Sequence, residues 1–176
     1  PTADSTLLGR YPTYCANHVA VVVALRGLRF RTVSRFDALR AEQDIATGAE
    51  LTLTGGPSLG TARGERDDLM GMNFYAARGN ATRFTSLGMR VDGRRRAAEG
   101  EWLATVGSLR LARYRVLDET RTRQFTISAS GVKGLGLPLQ LSMADLEGGL
   151  IGYANSTLAG GRRLTARLEQ RRLVSR

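Results

Sequence analysis

GGLIGYANSTLAGGRRLTARLEQR, residues 148–171, is the stretch whose reading decides the fold. A glycine-rich turn with one aromatic, Gly148-Gly149-Leu150-Ile151-Gly152-Tyr153, leads through a short loop into a segment of alternating character. Leu164, Ala166 and Leu168 hold one parity; Arg163, Thr165, Arg167, Glu169 and Arg171 hold the other. A period of two sends successive side chains to opposite faces of a strand. One face is therefore apolar and the other densely charged. A soluble sandwich also alternates in this way, so the rest of the chain has to decide.

Strand signals recur upstream at nearly regular spacing, over 16–33, 49–60, 68–79, 81–92, 101–117 and 121–133, with a last strand at 160–174. That makes about seven strands, most of them far longer than the ~5–6 residues usual in soluble sheets. Gly79-Asn80 and Asp92-Gly93 read as hairpin turns. Several strands carry a glycine in mid-run (Gly27, Gly71, Gly88, Gly107, Gly131), which weakens a packed soluble core but is tolerable in a wide barrel. Residues 35–46 have the one helix-forming composition and read as a short helical turn or loop. The pattern points to an all-β, antiparallel up-and-down transmembrane β-barrel.

Composition narrows the classes. At 176 residues the chain is long enough for one domain with a sizeable core. It has no run of about 18 apolar residues, so a helical span is excluded, while barrel strands need only about 9–11. The formal charge of +10 comes almost wholly from arginine, Lys133 being the only lysine. Arg94-Arg95-Arg96 is the one compact basic cluster and reads as a solvated turn. A single cysteine, Cys15, excludes an internal disulfide and a cysteine-based zinc site.

No catalytic constellation stands out. His18 is the only histidine and reads as a strand-end residue; no credible serine–histidine pair is visible. Glu65, Asp67 and Asp68 beside Arg63 and Arg66 read as a loop salt-bridge cluster. The glycines of 55–60 and 131–136 lack a phosphate-loop ending or a dinucleotide-binding context. The expectation is a protein that is not an enzyme, with no metal, no cofactor, no nucleic acid and no small-molecule substrate. Phe74, Tyr75, Phe84, Trp102, Tyr114, Phe125 and Tyr153 are candidates for aromatic girdles at a lipid–water boundary.

These residues resemble the C-terminal barrel domain, often called the bacterial surface antigen barrel, of the outer-membrane insertase and two-partner-secretion transporter superfamily. The family's loop carries Val/Leu-Arg-Gly-Phe/Tyr, followed by a Gly-Asp/Gly-Arg turn and a strand ending in Leu-Glu-x-Arg. Here these read Leu150-Ile151-Gly152-Tyr153, Ala159-Gly160-Gly161-Arg162 and Leu168-Glu169-Gln170-Arg171. Upstream, Phe36-Asp37-Ala38-Leu39, Gln43-Asp44-Ile45 and Gly48-Ala49-Glu50-Leu51 are similar to a mid-barrel stretch of that family. The likeness covers most of the chain, with the loop motif its specific part. The family's loop arginine, which reaches back to the inner barrel wall, is Ile151 here; isoleucine makes no charge-assisted hydrogen bond, so either another group anchors the loop or this copy has lost the latch.

The resemblance implies a bacterial outer-membrane location and a role, without covalent chemistry, in inserting, assembling or translocating client polypeptides. Gly149, Leu150, Ile151, Gly152 and Tyr153 would form the loop motif, and Arg167, Glu169 and Arg171 would be polar residues facing the lumen. The partners are then outer-membrane lipid and client chains. An odd strand count leaves unpaired edges in lipid, so residues 1–176 read as a partial barrel, with further strands expected after 176 and soluble repeats upstream. The alternative is a soluble, basic β-rich module binding anionic ligands or nucleic acid.

Overall fold

The computed structural model describes residues 16–37, 40–61, 66–96, 98–134, 141–142 and 159–174. The chain is all-β, with no helix among these residues. Its elements are β1 (Ala16–His18), β2 (Val21–Ser34), β3 (Glu42–Thr61), β4 (Asp67–Gly79), β5 (Arg83–Arg96), β6 (Trp102–Val116), β7 (Arg121–Lys133), β8 (Leu141–Ser142), β9 (Ala159–Gly160) and β10 (Arg162–Arg172). Eight of them form one antiparallel up-and-down sheet in the order β1-β3-β4-β5-β6-β7-β10, with β2 also on β3; β8 and β9 pair separately. β1 and β2 lie in line along one edge of β3, with an irregularity between Ala16 and His18. The sheet therefore has seven lanes, matching the sequence count. It is not closed: among the described residues, the far edges of β1/β2 and β10 carry no strand partner.

Three local readings change. Residues 42–47 are strand, not helical turn or loop, because Gln43 through Thr47 pair residue by residue with Val33 through Arg29. Asp92-Gly93 lies inside β5, where the ladder to β6 slips by one residue, and the connection falls after Arg96. Arg94, Arg95 and Arg96 are accordingly strand residues set opposite Leu69, Asp68 and Asp67, not a solvated turn. Gly79-Asn80 does turn: the Asn80 side-chain oxygen accepts from the backbone N–H of Thr82 and Arg83.

The register sorts side chains onto two faces, since directly paired residues project to the same side. One face carries Leu51, Phe74, Met89, Leu109, Ala129 and Leu164 in a row across six strands. Beside it runs Ala49, Ala76, Leu87, Leu111, Ile127 and Ala166. The other face carries Glu50, Tyr75, Gly88, Arg110, Ser128 and Thr165 in the equivalent row. Toward the 117–120 turn the polar face is the sheltered one. In β7, Thr122, Gln124 and Thr126 are buried while Arg121, Arg123 and Phe125 are exposed; in β10, Leu164 and Leu168 remain about 70 % exposed.

The apolar core is small and sits on the sheltered face at the end where 35–41, 80–82 and 117–120 connect the strands. Val33, Phe36, Ile45, Phe84, Ala112 and Tyr114 make it up. The β2–β3 turn folds over this face and drives Phe36, only 1 % exposed, between Phe84 and Tyr114 at centroid distances of 6.1 and 5.4 Å. Gly48 makes this geometry possible. Its φ of +114° favours glycine, and a Cβ there would overlap the Gly27 carbonyl oxygen. Before it Ile45 faces the core, and beyond it Glu50 lies in the polar row, so the alternation of β3 changes step at Gly48.

Candidate functional site

The loop motif Gly149, Leu150, Ile151, Gly152 and Tyr153 lies outside the described residues. Arg167, Glu169 and Arg171 lie on the sheltered face of β10, paired with Thr126, Gln124 and Thr122 of β7. Glu169 stands between the two arginines, 3.4 Å from Arg167 Nη1 and 2.9 Å from Arg171 Nη2. The strand period brings them together, because residues two apart share a face.

Arg171 does more than pair with its neighbour. Its Nη1 donates to the Asp37 backbone carbonyl at 3.0 Å and lies 3.4 Å from Asp37 Oδ1. Tyr114 donates its hydroxyl to the same carboxylate at 3.0 Å, and Gln124 Nε2 donates to the Tyr114 oxygen at 2.9 Å. Thr122 adds a bond from its hydroxyl to the Arg35 carbonyl. The first hairpin turn is thus tied to β6, β7 and β10 through a connected polar network, and charge-assisted bonds of this kind are the stronger ones.

Sequence reasoning missed Tyr114, Gln124 and Asp37 as members of one site. Tyr114 and Phe84, read as girdle aromatics, instead point to the core on the sheltered face. Tyr75 lies on that face too, donating to the Ala46 carbonyl at 2.9 Å. Phe74 and Phe125 do lie on the apolar face, and Trp102 is exposed at the far end of β6. The one available signal for the site was an aromatic–acid pair, Phe36-Asp37, in an otherwise polar turn.

A second cluster lies at the opposite end. Asp67, 4 % exposed, is 3.2 Å from His18 Nε2 and 3.1 Å from Arg94 Nη1, tying β1, β4 and β5 together. Ser58 is the register partner of His18, so the fold places a serine beside the histidine. The arrangement is not that of a nucleophile and its base. Ser58 Oγ accepts from the Asp67 backbone N–H at 3.0 Å, and no hydrogen bond joins it to His18. Among the described residues no group of three or more His, Cys, Asp or Glu is disposed to hold a metal ion.

The sheltered face therefore offers a wall of hydroxyls, amides and paired charges: Arg26 with Glu50, Arg90 with Asp92, and the Arg167–Glu169–Arg171 set. Such a wall can solvate a polar interior or exchange hydrogen bonds with a passing peptide. No family model matches the chain, and no curated protein or solved structure matches it either.

Proposed function

We propose that the chain is wall of a bacterial outer-membrane β-barrel, with its apolar face against lipid and its polar face toward a lumen. The observation that carries this reading is the reversal of burial along β10 and β7: Leu164, Ala166, Leu168 and Phe125 stand exposed, while Thr165, Arg167, Glu169 and Arg171 are half-buried and Thr122, Gln124 and Thr126 buried. A water-soluble sheet burying one face does the opposite. The dimensions agree. From Trp102 to Arg113 of β6 the strand advances about 36 Å. That corresponds to roughly 28 Å of depth at a tilt near 40°, close to the ~25 Å apolar band of such barrels.

The resemblance at 149–153 and 168–171 supports a more specific role: assembling, inserting or translocating client polypeptides, without covalent catalysis. The half-buried Arg167, Glu169 and Arg171 are the polar groups a client strand would meet first. Purification in buffer alone and in detergent tests the barrel wall. The chain is expected to be folded and monodisperse only with detergent or lipid. A folded monomer in plain buffer eliminates the barrel reading, and salt-sensitive binding to oligonucleotides there would favour a soluble anion-binding module.

A further inference from the structure

We propose that the outward arginines at the short-turn end of the sheet bind phosphate-bearing headgroups of anionic phospholipid. The inference rests on the barrel-wall reading and assigns that wall a ligand. Arg83, Arg115 and Arg123 are direct register partners across three adjacent strands, on the face that carries the Leu109 row. Arg113 and Arg78 flank Thr85 one step nearer the apolar band, and Arg172 lies beyond, opposite Arg121. All six are exposed.

Like charges placed directly opposite on a sheet repel, and among the described residues no ion pair relieves this row. Arg78, Arg83, Arg113, Arg115 and Arg172 form no ion pair among the described residues, and Arg123 donates only to the Gln170 side chain at 3.1 Å. Asp118, in the adjacent turn, is already taken up by Arg121 and Thr120. The opposite rim differs: there Arg95 of β5 faces Asp68 of β4. A row of guanidinium groups at one edge of an apolar band matches a layer of phosphates, each able to accept bidentate bonds.

The source follows from connection length. At this end the connections are 35–41, 80–82 and 117–120; at the other end they are 62–66, 97–101 and the longest of all, the stretch between β7 and β9 that holds β8. Outer-membrane barrels keep short turns on the periplasmic side. The row then meets the periplasmic leaflet, whose phosphates belong to phospholipids, rather than the lipid A layer.

The test uses the whole chain folded into phosphatidylcholine vesicles with spin-labelled phosphatidylglycerol or spin-labelled phosphatidylcholine as probe. The expected result is a several-fold preference for phosphatidylglycerol that weakens with salt. R83Q/R115Q/R123Q is expected to bring the preference close to one. R83K/R115K/R123K retains a salt-sensitive preference, and R90Q, on the sheltered face, changes nothing. A preference that survives the glutamine triple, an absent preference in the unmodified chain, or lipid A displacing phosphatidylglycerol overturns the proposal and leaves the barrel wall standing. If the unmodified chain fails to float with vesicles at all, the barrel reading itself falls. If only the glutamine triple fails to float, the lysine triple and the salt dependence of the unmodified chain decide.

Discussion

Tyr114 illustrates how single residues carry more than their own strand. Its ring packs on Phe36 while its hydroxyl links Asp37 to Gln124, so one side chain joins the small core to the polar network. Removing the hydroxyl leaves the buried Gln124 amide with only Thr126 Oγ1, at 3.3 Å, as acceptor. Tyr114→Phe is expected to cost about 1.5 kcal/mol, the low end for a bond to a charged group, because the Asp37 side chain is 60 % exposed. Denaturant titration in detergent reads this as a lower midpoint at an unchanged slope; an unmoved midpoint would show that the bond contributes nothing. At this scale the sequence identifies the residue types but not their meeting. Tyr114 and Asp37 are 77 positions apart. Nothing in their local sequence says that the β2–β3 turn folds across β6.

Elements were legible in proportion to how much of their order is local. β10 could be read from its alternation alone, and its exposure alternates without a break. The start of β3 could not. Residues 42–47 are polar and helix-prone, yet pairing with β2 and the bond from Thr32 to Asp44 make them strand, a case of tertiary context overriding propensity. The arginine cluster failed for a related reason. A triple arginine looks solvated until Asp67 on one neighbouring strand and Glu101 across the turn supply partners for Arg94 and Arg96.

The β6–β7 turn carries its own test. Asp118 accepts from the Thr120 backbone N–H at 2.9 Å and from the Arg121 guanidinium, and these bonds hold its carboxyl well below the ordinary aspartate range, at about 2. A depressed carboxyl contributes above its unfolded value and loses that contribution as pH falls through the folded one. The turn is therefore expected to stay intact down to about pH 4 and loosen between about pH 4 and pH 2. Amide exchange at Thr120 and Arg121 should follow that window, and Asp118→Asn should abolish it. Loosening already complete at pH 5 would contradict the assignment.

At the scale of the molecule the proposed barrel wall requires the two faces of one sheet to meet different solvents. A substitution should then act according to its face rather than its depth in the chain. Leu109→Arg, in the middle of the apolar row, is expected to weaken vesicle insertion by about 2–4 kcal/mol. Ser130→Glu, in the sheltered row opposite Arg163, should insert normally. Flotation of the two variants side by side measures the difference, and equal behaviour would remove the reason for assigning lipid to one face.

The sequence by itself determined the number of long strands, their antiparallel succession and the chemistry of each face, because strand alternation is a local property with a period of two. It also held the residues of the loop resemblance at 149–153. Only the tertiary structure decided which face is sheltered, since shelter comes from the β2–β3 turn and Phe36 crossing the polar side. Register, too, belongs to the assembled sheet. It converts arginines scattered at 83, 115 and 123 into one row, because cross-strand neighbours are set by the ladder and not by distance along the chain.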